Sequence, residues 1–216
     1  MQKESGRSMI EMLGVLAIIG VLSVGGIAGY SKAMMKFKIN KTFEQISHTI
    51  THVQTLYASQ HQKDGNKYYQ SADGDGDYNE IMLPDDVKSA KNIWDGKYLV
   101  RTRWPDIDSF SIVISGIPKS ACIELTSADW GNIQTSGFVG IISQNILDTD
   151  EADLFACYFE EYASCSDDNE VYDYADGKTL MACSICGKKQ IPVPISLATQ
   201  SCDCSENTCE VMLAFH

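Results

Sequence analysis

Not one charged residue lies between Met12 and Tyr30, no proline between Ser8 and Gln62, and no cysteine before Cys122. Each absence excludes something. A charge-free run of 19 residues is not a solvated surface segment, and it approaches the roughly 20 residues a helix needs to span a bilayer. Without proline, nothing in the backbone of the first 60 residues forces a helix to stop. The late start of the cysteines confines any disulfide framework to the C-terminal half. Catalytic signatures are missing as well. There is no G-x-S-x-G, no glycine-rich phosphate loop followed by lysine, and no Ser-His-Asp set that can be placed, so no enzymatic activity is expected.

Charge is short of one sign beyond the N-terminal region. The 216-residue chain carries a net charge of −12. Six basic residues (Lys3, Arg7, Lys32, Lys36, Lys38, Lys41) against Glu4 and Glu11 leave the part up to Lys41 at +4, so the rest carries −16. A part this acidic does not suit a phosphate backbone, and nucleic acid is not expected as its ligand.

The apolar run MLGVLAIIGVLSVGGIAGY follows a polar start, MQKESGRS, and precedes Lys32, Lys36, Lys38 and Lys41. Three readings are open. It is a cleaved secretory signal with Gly26-Ile27-Ala28 as the small-residue site; a plain membrane anchor; or a segment that anchors the chain first and later packs in a filament core. The basic flank does not fix the orientation. The cysteines do so better: their even number, eight in all, calls for an oxidising compartment and puts the C-terminus outside.

Glu11 discriminates among the three. A charged side chain costs about 2.5–3.5 kcal/mol at the bilayer centre, and less at the interface. A signal or an anchor gains nothing from it. A filament subunit gains a partner for the free N-terminal ammonium of its neighbour. The alternative is that Glu11 sits at headgroup level. Further along, Ile39, Phe43, Ile46, Ile50, Val53 and Tyr57 recur at helical spacing, so the helix continues to about residue 60, with one apolar face in its second half. Gly14, Gly20, Gly25, Gly26 and Gly29 permit either close helix packing or local unwinding. His48, His52 and His61 read as polar-face residues.

The segment Gly6-Arg7-Ser8-Met9-Ile10-Glu11-Met12 resembles the prepilin peptidase site of type IV pilins and type II secretion pseudopilins. In that family a short polar leader ends in Gly, cleavage follows it, the new N-terminus is methylated, and a Glu stands five residues into the mature chain. Carried over, the leader is residues 1–6, cleavage falls between Gly6 and Arg7, and the assembly residue is Glu11. Arg7 stands where the family usually has Phe or another apolar residue. The resemblance implies a stem helix over 7–62, transmembrane over about 10–30, and a globular head over 63–216.

In that head, Asp64 to Asp86 reads as a polar, glycine-rich loop. Asp73, Asp75 and Asp77 offer hard oxygens to calcium, but Tyr78 and Pro84 occupy the positions where an EF-hand needs Gly and a bidentate Glu. A solvated acidic turn is the other reading, and no other cofactor is expected. Tyr98–Arg101 and Phe110–Ile114 read as a hairpin, Phe138–Ile142 as a further strand, and Glu210–His216 as a terminal strand with one face on the core. The expected fold class is α+β: a long N-terminal helix, transmembrane then amphipathic, packed on an antiparallel sheet with disulfides.

The segments Phe110–Leu125 and Cys202–Phe215 look like the strand, the Cys-bearing segment and the final strand of type IVb, PilS-like pilins. That resemblance implies a Cys122–Cys202 disulfide, and it is lost over about 143–200, which looks like an insertion. Connectivity is otherwise open, with Cys157–Cys165 expected as a local pairing. Cys183-x-x-Cys186 with Cys202-x-Cys204 approaches a zinc ribbon, although export favours disulfides, Cys204 and Cys209 included. The family implies a structural filament subunit that is processed by prepilin peptidase. Its partners would be other pilins, the inner-membrane assembly machinery and, before assembly, membrane lipid. It would sit in the inner membrane as a precursor and in a surface or periplasmic filament afterwards. The rival is a single-pass, non-polymerising extracytoplasmic binding module.

Overall fold

A computed structural model describes residues 5–59, 78–80, 83, 91–103, 109–131, 135–143, 172–173, 180–183, 191–204 and 209–216. The chain forms two compact units, Met1–Lys41 and Thr42–His216. One helix, α1 (Ser5–Tyr57, 53 residues), contributes to both. It has no acidic residue in its first turn and no basic residue in its last, so charge does not stabilise its ends. Its length and unbroken hydrogen bonding carry it instead. Side-chain hydroxyls along it donate back to carbonyls four residues earlier, as Thr49 does to Gln45 at 2.9 Å and Thr51 to Ser47 at 2.9 Å.

The helix begins two residues before the stem start expected at residue 7 and stops five short of residue 62. Its apolar face is also shifted. Thr42, Ile46, Thr49, Val53 and Tyr57 are the buried positions along 42–57, whereas Phe43 and Ile50 are only half-buried. Two threonines therefore sit on the core face.

Among the described residues, the rest of the second unit is a seven-stranded antiparallel sheet with two short helices. In chain order these are β1 (Tyr78–Glu80), β2 (Tyr98–Arg103), β3 (Phe110–Ile117), α2 (Lys119–Thr126), β4 (Phe138–Ser143), β5 (Tyr172–Asp173), β6 (Leu180–Cys183), α3 (Ile195–Ser201) and β7 (Cys209–Phe215). The strand order is β1-β2-β3-β7-β4-β6-β5, and this α+β architecture is a pilin-like fold. The β2–β3 pairing expected from the sequence is present, with Val100 opposite Ile112.

Two expectations need correction. The stretch Asp64–Asp86 is not loop throughout, because β1 lies within it and pairs with Arg101–Arg103 at the sheet edge. The terminal strand does not bury one face only. All seven residues of β7, which runs between β3 and β4 at the centre of the sheet, are buried, so the sheet is covered on both faces there. Within the 143–200 stretch, β6 pairs with β4 and β5 with β6, so part of it extends the same sheet.

Register fixes which side chains share a face. Tyr98, Ile114, Val211 and Ser143 lie directly across from one another on four adjacent strands. At one end of that row the Tyr98 hydroxyl donates to Thr49 Oγ1 of α1 at 2.8 Å. At the other, Ser143 Oγ donates to Ser201 Oγ of α3 at 2.7 Å. The turn of α1 around Thr49 and α3 therefore lie over the same face. Two rows further on, past Ile112 and Leu213, are Phe110, Phe215 and Phe138, with ring centroids 5.6 and 5.4 Å apart. Trp130 continues the line to Phe43 of α1, its centroid 5.2 Å from that ring.

Burial pushes the Tyr98 phenol above its usual range, against the opposing hydrogen bond to Thr49. The phenol is then neutral in the fold where it would begin to ionise in the unfolded chain. Its contribution to stability is complete below about pH 10, the ordinary tyrosine value, and declines above it. Tyr98→Phe should cost about 1 kcal/mol near neutrality and make stability fall less steeply above pH 10, as read by denaturant titrations across pH.

Asn92 closes the corner before β2. Its Nδ2 donates to the carbonyls of Ser115 (2.7 Å) and Lys97 (3.1 Å), while its Oδ1 accepts from the amides of Trp94 (2.8 Å) and Gly96 (3.1 Å). Backbone meets backbone here. A Cβ on Gly96 would stand 1.8 Å from the Ser115 carbonyl oxygen, and Gly116 has φ +70°.

Candidate assembly surface

Every residue from Met9 to Tyr30 is exposed on α1. Val21 is 75% and Ile10 74% accessible, where a soluble protein would bury such side chains. The helix is long and apolar enough to cross a membrane. It runs through Gly14, Gly20, Gly25, Gly26 and Gly29 without a break, and a Cβ at any of them would meet nothing within 4 Å. The glycines therefore leave shallow, open places along an apolar cylinder.

Glu11 is exposed at one end of this cylinder, next in sequence to Ile10 and Met12, which are 74% and 67% accessible. Exposure is tolerable for its carboxylate only while water reaches it. Once the surrounding apolar surface is covered, by lipid or by protein, the charge needs a cation partner. Gly6 and Arg7 both lie within α1, so the helix starts inside the segment read as leader.

In the second unit four of the singled-out cysteines meet. Cys122, in α2, is joined to Cys202, which follows α3. Cys204 is joined to Cys209 at the start of β7. Cys202 and Cys204 therefore take different partners, Cys122 and Cys209, and do not form half of a zinc ribbon with Cys183 and Cys186. The sulfurs of Cys122, Cys204 and Cys209 all lie within 4.8 Å of one another. Thr126 Oγ1 stands 4.0 Å from Cys122 Sγ and 3.7 Å from Cys202 Sγ. Lys119, at the start of α2, pairs with Asp203 at 2.7 Å, so this ion pair spans the residue between Cys202 and Cys204. Sequence reasoning had no signal for Thr126, whose position beside both sulfurs follows from one turn of α2.

The calcium candidates Asp73, Asp75 and Asp77 lie outside the described residues, as do Cys157, Cys165, Cys186 and His61. Cys183 ends β6. The rings of His48, which is exposed, and His52, which is half-buried, lie 4.0 Å apart on α1.

Over 58 residues, 27% of the chain, the sequence is 36% identical to the fimbrial protein EcpB of Eikenella corrodens, a match that spans 36% of that protein's length. No family model matches the chain.

Proposed function

We propose that this chain is a structural subunit of a type IV pilus or a pilus-like filament. It is cut between Gly6 and Arg7 by a prepilin peptidase and assembled with other pilin subunits through the first half of α1. The observation that carries the reading is the exposed apolar run of α1 with a single carboxylate, Glu11, just before it. A membrane anchor accounts for the run but not for the carboxylate. Subunit packing accounts for both, since the ammonium created at Arg7 of one copy supplies the cation that Glu11 of the next requires once water is excluded. The open glycines allow neighbouring helices to approach closely. The pilin-like fold and the similarity to a fimbrial protein support the same class.

On this reading the chain has no catalytic task. The precursor spans the inner membrane once with its C-terminus outside, and the assembled subunit lies in an extracellular or periplasmic filament. Gly6 lowers the cost of opening the first turn of the helix, by about 1 kcal/mol relative to Ala, so that a peptidase can reach the bond after it.

The mature N-terminus tests the reading. Mass spectrometry of the chain expressed with a prepilin peptidase should show a product beginning at Arg7, and Gly6→Val should leave Met1 in place. A product beginning at Gly29 would make the segment a cleaved secretory signal. An intact chain that never polymerises would make it an anchor for a binding module.

A further inference from the structure

Two imidazoles one helical turn apart have the spacing of a chelate. His48 and His52 stand at i and i+4 on α1, so their side chains leave the same face of the helix. Their ring centroids are 4.0 Å apart and the ring planes are inclined by 37°. His48 is exposed and His52 half-buried, so a dissolved ion can reach the pair. Two imidazole nitrogens that share one ion, each about 2.0–2.1 Å from it, stand about 3 Å from each other. Rings this close need only turn about their χ2 angles to meet that spacing. The backbone beneath them is already fixed. Ile46 and Val53 are fully buried, Thr49 Oγ1 accepts from the Tyr98 hydroxyl at 2.8 Å, and Gln54 Nε2 donates to the Ser136 carbonyl at 3.3 Å. These contacts set the rotation of α1 about its axis on both sides of the pair, so capture of an ion orders two side chains and no backbone.

We propose that His48 and His52 form a surface site for a divalent transition-metal ion, with Cu²⁺ preferred over Ni²⁺ and Zn²⁺. Imidazole nitrogen suits these ions, whereas Mg²⁺ and Ca²⁺ take oxygen. For a given set of nitrogens, affinity rises through Ni²⁺ to Cu²⁺ and falls again at Zn²⁺. Each neutral imidazole gives one lone pair, water fills the remaining positions, and no electron is transferred. Glu44, exposed one turn before His48, adds a negative charge on the same side of the helix. The chelate exists only while the turn from His48 to His52 is helical, so a bound ion also stabilises the folded second unit. The pair lies beyond the apolar run in sequence and uses no cysteine, so the site holds whether or not the chain polymerises.

The test uses the full chain in detergent with its disulfides intact. Cu²⁺ is titrated against a competing chelating indicator, and electron paramagnetic resonance counts the nitrogens on the bound copper. The unaltered chain should hold one tight Cu²⁺ on two imidazole nitrogens and bind Ni²⁺ and Zn²⁺ more weakly. His48→Ala and His52→Ala should each weaken copper binding about a hundredfold, because the second imidazole then no longer acts within the same molecule. His61→Ala and His216→Ala should leave it unchanged. Cu²⁺ should raise the urea midpoint of the unaltered chain and not that of His48→Ala/His52→Ala, whose metal-free midpoint shows that it still folds. Copper affinity that survives both single substitutions would overturn the proposal. So would a spectrum with fewer than two imidazole nitrogens, a loss of binding confined to His61→Ala or His216→Ala, or tighter binding of Zn²⁺ than of Cu²⁺.

Discussion

Replacing Glu11 by Val should leave the precursor inserted in the membrane and nearly abolish filaments. The two halves of that result have one cause. Removing a carboxylate from the edge of an apolar run makes insertion easier, since a charge in that environment costs up to about 2.5–3.5 kcal/mol. A loss of filaments therefore cannot be blamed on failed insertion. In the assembled state Glu11 would lie where lipid or neighbouring helices exclude water, and so would the ammonium at Arg7 of the next copy. Breaking a buried pair by deleting one partner strands the other charge, at a cost of about 3–5 kcal/mol per contact. That weakens each subunit addition by about two to four orders of magnitude. Glu11→Asp keeps the charge and shortens the reach, and should restore part of the yield. The readouts are the membrane-fraction content of the precursor and the sheared-filament yield. Normal filament yield from Glu11→Val would remove the pairing mechanism, even if the mature chain still began at Arg7.

Much of this was legible in the sequence, for a physical reason. Charge-free length, proline-free continuity and the lone carboxylate are one-dimensional properties, and the helix over 5–57 follows from them. The β2–β3 pairing was also legible, because β-rich segments close in sequence tend to pair. What escaped depended on partners far apart in the chain. Thr42 and Thr49 fall outside the apolar set that helical spacing picks out, yet both are buried. Trp94 Nε1 donates to Thr42 Oγ1 at 3.0 Å, and the Tyr98 hydroxyl meets Thr49. A hydroxyl satisfied by a side chain about 50 residues away cannot be recognised as a core residue from helical periodicity alone.

For the cysteines, the Cys122–Cys202 disulfide implied by the resemblance to PilS-like pilins is present, but spacing taken alone shows the same limit. Spacing favoured Cys183-x-x-Cys186 with Cys202-x-Cys204 as the ligand-like set. The fold gives Cys202 to Cys122, 80 residues earlier, and Cys204 to Cys209. Sequence spacing measures proximity along the chain, whereas sulfur chemistry depends on proximity in space. Cys122 reaches this cluster because α2 follows β3 directly, and β3 pairs with the strand that begins at Cys209. The same route through the centre of the sheet decides where the head is most sensitive to substitution.

Phe215, the penultimate residue, should be among the most costly positions in the head to truncate. Chain ends usually tolerate change because few contacts hold them. This end is the central strand of the sheet. Phe215 is 1% accessible, and its ring lies 5.6 Å from Phe110 on one neighbouring strand and 5.4 Å from Phe138 on the other. The backbone beside it is held too. The His216 amide donates to the Gly137 carbonyl at 2.7 Å, and Gln54 Nε2 of α1 donates to the His216 carbonyl at 3.5 Å. Neighbours fixed from both sides cannot collapse into the space a lost ring leaves, so Phe215→Ala should cost about 3–5 kcal/mol. That is a large share of the roughly 5–15 kcal/mol that holds a typical domain folded. Phe215→Leu keeps most of the volume and loses the ring contacts, which are worth about 0.5–1.5 kcal/mol per pair, so it should fall well short of the alanine change. Urea titration of the full chain in detergent, followed by near-UV circular dichroism, separates the two variants. The midpoint should drop with an unchanged slope if packing alone is lost. A cost below about 1 kcal/mol for Phe215→Ala, the range of ordinary surface changes, would mean that the aromatic row from Phe110 through Phe138 does not carry the core of this sheet.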